Sequence, residues 1–203
     1  MIVNPRLSRG LTAVLAVLFL TAAAAQTQPT DARSNAVDVS NIRIDNFGRI
    51  NANYFRGAQP NGRDYADLAA LGVRTVINLA SDDAEANEKA MAERAGLRYV
   101  QIPMTTHQPP TADQLAAFLA IVNEPASQPV YVHCVGGRHR TGVMTAGYRL
   151  THDGWTADQA FAEMKKYKFG ADFLHAEFKE FVYHFHAGVA AVHAPIATTK
   201  VGG

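Results

Sequence analysis

The amino-acid sequence predicts a single α/β domain with a mainly parallel central sheet and helices on both faces. Strand-like apolar runs alternate with segments of helical period from about residue 53 onward, the pattern that helical crossovers between parallel strands produce. The chain has 203 residues, 48% of them hydrophobic, which is enough for one sizeable core rather than two.

"IRIDNFGRI" (42–50) and "NYFRGAQP" (53–60) read as short strands joined by turns, the second stopped by Pro60. "GRDYADLAALG" (62–72) sets Tyr65, Leu68 and Ala69 at helical spacing and stops at Gly72. "VRTVINLA" (73–80) is β-branched and apolar, as a strand buried on both faces is. "AEANEKAMAERAG" (84–96) is a helix closed by Gly96, "LRYVQIP" (97–103) a strand and "MTTHQPP" (104–110) a loop. In "TADQLAAFLAIVNEP" (111–125), Thr111 and Gln114 fit a capping box, and Leu115, Phe118, Leu119 and Val122 form one apolar stripe.

"PVYVHC" (129–134) is the next strand, followed by a glycine-containing loop and a helix starting near Thr141, with Val143, Ala146, Gly147 and Leu150 inward. "TADQAFAEMKKY" (156–167) repeats the capping box with Thr156 and Gln159; the flanks do not extend this likeness into a repeat. "DFLHAEFKEFVYHF" (172–185) places Leu174, Phe178, Phe181 and Phe185 on one face of a final helix.

The ends differ in character from this domain, expected over 42–186. Arg6 and Arg9 precede the short apolar run "LTAVLAVLFL", and Ala23 and Ala25 stand at signal-peptidase spacing, so residues 1–25 read as a secretory signal cut near Ala25. The run is shorter than the roughly 20 residues that span a bilayer, and no cysteine follows it to carry a lipid. Export to the periplasm or beyond is therefore expected, without stable membrane insertion after cleavage. Residues 26–41 are polar and aperiodic, a flexible lead-in, and 187–203 a frayed tail. Losing Arg6 and Arg9 takes the net charge from +1 to −1, which excludes a globally basic nucleic-acid-binding surface.

Chemistry concentrates in "HCVGGRHRTG" (133–142). A strand–loop–helix order with Gly136 and Gly137 lets backbone N–H groups turn inward, and the helix start adds unpaired donors and a positive dipole end. That makes an anion site, and a tetrahedral oxyanion such as phosphate fits it. Cys134 is the chain's one cysteine, so no intramolecular disulfide is available to it. Beside Arg140 and a helix terminus its thiolate is favoured below the ~8.5 of a free thiol. Arg140 can hold two phosphoryl oxygens, and Thr141 can give its hydroxyl to the sulfur. A nucleotide P-loop requires Gly-Lys-Ser/Thr, which is absent here. The implied reaction is attack by Cys134 on phosphorus, followed by hydrolysis of a phosphocysteine, with no metal or other cofactor.

The run His133, Cys134, Arg140, Thr141 resembles the signature of the protein tyrosine phosphatase superfamily. "NYFRGAQP", "LGVRTVINLASDD", "GLRYVQIPM" and "GWTADQAFAEMKKYKFG" are similar to secreted bacterial dual-specificity phosphatases and, more distantly, to fungal and plant enzymes acting on inositol pyrophosphates. The resemblance implies the cysteine-based phosphatase fold, Cys134 as nucleophile, Arg140 as phosphate clamp, Val135, Gly136, Gly137, Arg138 and His139 as the backbone cradle, and phosphorylated proteins or small phosphoesters as substrates. It also implies an acidic residue after "LRYVQIP", yet "MTTHQPPTAD" has no carboxylate before Asp113. His107 occupies the acid's place in the best register, with Asp113, Asp82, Asp83 or no side chain as alternatives. A pseudoenzyme that binds phosphate without turnover also follows from the missing aspartate, though capture alone has no need of a thiolate.

His133 is expected to hydrogen-bond the loop backbone. Arg138 and His139 suit either a polyphosphorylated substrate or a solvated rim, and Arg56 and Gln59 either approach the loop or belong to a turn held by Pro60. His184 and His186 lie on different helix faces, and no histidine or carboxylate pair has ligand spacing, so no structural zinc site is expected. Trp155 reads as a packing residue.

Overall fold

A computed structural model describes Met1 and residues 39–81 and 84–186. The expected signal after Met1, nearly all of the lead-in, the tail from Ala187, and Asp82 and Asp83 lie outside the described residues. The described elements are β1 (Gly48–Asn51), β2 (Tyr54–Gly57), α1 (Asp64–Ala70), β3 (Thr75–Ala80), α2 (Glu88–Arg94), β4 (Arg98–Met104), α3 (Ala112–Asn123), β5 (Val130–His133), α4 (Arg140–His152), α5 (Ala157–Lys166), a 3₁₀ turn (Asp172–His175) and α6 (Ala176–Tyr183). Among them no helix is long and apolar enough to cross a membrane.

The sheet order is β1-β2-β5-β3-β4; β1 pairs antiparallel with β2, and every other pair is parallel. All six residues of β3 are buried, as its continuous apolar run predicts. Alternation along the strands divides the core. Ile77, Leu79, Val130 and Val132 face a cluster shared with α3, α4, α5 and α6, while Val76 and Tyr131 face Tyr65 and Leu68 of α1 and Ala92 of α2. Helices therefore cover both faces, as the alternating pattern predicts.

Both Thr-Ala-Asp-Gln starts form their capping boxes. The Thr111 hydroxyl accepts from the Gln114 N–H, and the Gln114 side chain accepts from the Thr111 N–H; Thr156 and Gln159 repeat this. Gln114 Nε2 also donates to the Pro103 carbonyl at 2.7 Å, tying the start of α3 to β4. Trp155 packs under the Arg149 guanidinium, 4.2 Å from its ring centre.

Two expectations are corrected. Within 42–50 only the end is strand: Asn46, at φ 55°, turns the chain, because its amide binds three carbonyls elsewhere in the fold. Residues 172–185 are not one helix. His175, at φ −142° and ψ 53°, breaks the geometry between the 3₁₀ turn and α6, so Leu174 falls out of phase with Phe178 and is 61% exposed. Phe178 is buried, and Phe181 and Phe185 are partly so.

Candidate active site

The 133–142 stretch leaves β5 at His133 and enters α4 at Arg140, one residue earlier than expected. β5 lies inside the sheet, between β2 and β3, so the loop emerges at the carboxyl ends of parallel strands, where open α/β sheets place their sites. Thr106, Cys134, Val135, Gly136, Arg138, His139 and Arg140 line a cavity of about 250 Å³. The first nine residues of α4 are buried, so the helix that presents Arg140 and Thr141 is held from every side.

Cys134 is 3% exposed. Burial by itself raises the thiol pKa, but the Thr141 hydroxyl and backbone N–H, the Arg140 charge and the Arg138 N–H together bring it below the ordinary value. Arg140 is buried and anchored by Nη1 donating to the Met104 carbonyl at 3.2 Å, at the end of β4. The thiol is thus made more acidic beside a fixed cation, in a concave site.

Sequence reasoning foresaw only part of what holds the loop in shape. Gly137 has φ +62°, and a Cβ there would stand 2.3 Å from the Gly57 carbonyl carbon, so only glycine lets the loop lie against β2. The Gly137 carbonyl accepts from Arg56 Nη2 and, at 2.8 Å, from Asn46 Nδ2. Asn46 reaches the Tyr167 carbonyl at 3.0 Å as well. Arg56 is fully buried, with its guanidinium 4.2 Å from the centre of the Tyr167 ring. These donors draw the Gly137 carbonyl toward the protein, an arrangement that leaves backbone N–H groups for the anion side. Both readings for "YFRGAQP" are realised: Arg56 clamps the loop and the Gln59 N–H donates to the Val135 carbonyl at 3.0 Å, while the Gln59 side chain belongs to the turn at Pro60, where Nε2 donates to Tyr65 OH at 3.2 Å.

His133 meets the loop backbone as expected, with Nδ1 3.4 Å from the Cys134 carbonyl. Its other nitrogen lies 2.7 Å from Glu88 Oε1, both side chains fully buried. Asn78 donates to Glu88 Oε2 at 2.5 Å, and Tyr99 OH lies 3.4 Å from the same oxygen. A carboxylate inside an otherwise helical Glu/Lys/Ala run carries no sequence signal that separates it from the exposed face, so Glu88 went unread.

Arg138 is exposed, while His139 is half-buried against Phe169, to whose carbonyl Nε2 donates at 3.0 Å. Burial and then the neighbouring His175 hold His139 below the ordinary histidine range. His107 is exposed and does not line the cavity; the adjacent Thr106 does. Asp113 lies in the first turn of α3, exposed and away from the cavity lining. His107 instead approaches His175 and Glu177, a grouping that spacing along the chain does not reveal. His184 is capped on the Glu180 carbonyl at 2.9 Å.

Comparison with known proteins agrees with this geometry. The dual-specificity protein phosphatase TpbA of Pseudomonas aeruginosa strain UCBPP-PA14 is 31% identical over 125 residues, covering 62% of this chain and 56% of the relative. This chain thus spans little more than half the length of that relative. The crystal structure of P. aeruginosa TpbA superposes with a TM-score of 0.63 at 28% identity, covering 77% of this chain and 93% of that one. The core catalytic domain of SIW14 from S. cerevisiae shares the fold, with a TM-score of 0.64 at 20% identity over 73% of this chain and 91% of that one. Residues 32–182 match the family model described as "DSP-PTPase phosphatase fused to NAD+ Kinase". The chain belongs to this DSP-PTPase phosphatase family.

Proposed function

We propose that this protein is a cysteine-dependent phosphomonoester hydrolase acting on phosphorylated proteins, with tyrosine or dual specificity. The observation that carries this reading is the Cys134 thiol, buried yet more acidic than usual, on the floor of the cavity that Arg140 also lines. The thiolate attacks phosphorus; the S–P bond forms as the P–O bond to the leaving group breaks, and Arg140 holds the equatorial oxygens as charge spreads. Water then attacks the phosphocysteine. The S–P bond breaks, inorganic phosphate leaves, and the Thr141 hydroxyl stabilises the returning thiolate.

The leaving oxygen needs a proton in the first step, and His107 is assigned that role. It follows Thr106, which lines the cavity, on the loop between β4 and α3. With a phosphoester whose leaving group is poor, His107→Ala should lower kcat about 10²-fold and remove the basic limb of its pH profile. An unchanged rate and profile would remove His107 from the mechanism.

Phosphate release from phosphotyrosine, phosphoserine and inositol polyphosphate substrates, measured for the full chain against Cys134→Ser, tests the activity and ranks the substrates. The serine variant should lose on the order of 10⁴-fold or more. Release that persists in it sinks the proposal; preference for the inositol substrates would replace the protein-phosphatase reading. Export follows from residues 1–25, and mass spectrometry of the protein from the exporting cell should find its N-terminus near residue 26.

A further inference from the structure

His107 stands on the loop between β4 and α3, His175 ends the 3₁₀ turn, and Glu177 lies in the first turn of α6. The fold gathers these three so that one ligand atom from each lies within 4.8 Å of the other two. Zinc–ligand bonds of about 2.0–2.2 Å put the donors of a tetrahedral ion roughly 3.5 Å apart, so a contraction of about 1 Å closes the set. His107 is exposed and on a loop, which makes that contraction inexpensive.

Two further features fit a cation. The His175 ring is fixed by Nδ1 donating to the Thr106 carbonyl at 3.0 Å, the kind of second hydrogen bond that orients metal-binding imidazoles. Glu177 Oε1 is buried without a hydrogen-bond partner, 3.5 Å from His175 Nδ1. A buried carboxylate oxygen whose contact is an imidazole at 3.5 Å, with no hydrogen bond, is poorly satisfied, and a divalent ion would satisfy it. The set is two imidazoles and a carboxylate, which suits zinc-class ions rather than calcium or magnesium.

We propose that His107, His175 and Glu177 bind a zinc-class divalent cation, with water in the fourth position, which pins the loop between β4 and α3 to the start of α6 and, while bound, withholds His107 from proton donation. The site borders the phosphate cavity: Thr106 belongs to both, and the His139 ring of the catalytic loop lies 3.8 Å from that of His175. The inference does not depend on phosphatase activity.

The full chain, prepared without a polyhistidine tag and carrying Cys134→Ser to remove the competing thiolate, is titrated with zinc chloride in a calorimeter. Cobalt(II) uptake is followed in parallel by its visible spectrum. One equivalent of zinc should bind, and cobalt should give the intense bands of a tetrahedral site without a thiolate charge-transfer band. His107→Gln, at an exposed loop position where folding is not at stake, should abolish this binding, as should His175→Ala and Glu177→Gln. The His184→Ala/His186→Ala pair should leave it intact. No uptake by the parent, or uptake undiminished in His107→Gln and Glu177→Gln, overturns the proposal and leaves the His175 ring alone as the partner of Glu177.

Discussion

At Cys134 two opposing effects meet. Burial penalises the thiolate, whereas the Thr141 hydroxyl and N–H, Arg140 and the Arg138 N–H stabilise it, and the stabilising set prevails. The rate of alkylation by iodoacetamide should therefore rise with pH through a midpoint below the ~8.5 of free cysteine. Thr141→Val removes the largest of the stabilising contacts, so its midpoint should move upward; an unchanged midpoint would assign the acidity to Arg140 and the backbone alone. Residue types at the right spacing already pointed to Cys134, Arg140 and Thr141, because nucleophile, clamp and hydroxyl all belong to one strand–loop–helix unit. Asn46 and Glu88 were not legible as site residues, and Arg56 only as one of two readings, since each acts on that unit from elsewhere in the chain.

The elements carry two kinds of constraint. Thr111 and Thr156 act locally, each satisfying a helix N–H that would otherwise be unpaired, and their role was readable four residues at a time. Thr111→Ala should cost about 1 kcal/mol, measured as a lower urea midpoint with unchanged slope. Gly137 answers to a contact between elements. Its Cβ would collide with the Gly57 backbone at 2.3 Å, and its positive φ strains any other residue. Gly137→Ala should destabilise the protein by about 2–4 kcal/mol and reduce turnover by more than that loss of folded protein explains, because the loop must shift. The final helix illustrates the limit of periodicity: Phe178 is in phase, but the break at His175 puts Leu174 in water. A hydrophobic pattern gives the face of a helix only while the helix is continuous.

Across the whole molecule, the face of the sheet covered by α1 and α2 is tied to the site by the buried pair Glu88–His133, which joins α2 to β5 where the loop begins. Removing one member strands the other in a low-dielectric interior. Glu88→Ala should cost about 3–5 kcal/mol in urea unfolding and weaken phosphate binding; a loss below about 1 kcal/mol would mean that Asn78 and Tyr99 do not depend on the carboxylate. Glu88→Gln, which keeps a hydrogen-bonding side chain, should lose less.

By itself the sequence determined the alternation of strands and helices, the helix caps and the phosphate loop, because each is written in periodicity or short-range spacing. Only the tertiary structure decided which distant side chains hold the loop open and which histidines converge on Glu177. Those contacts arise when elements far apart in the chain pack against one sheet, and chain spacing holds no record of that packing.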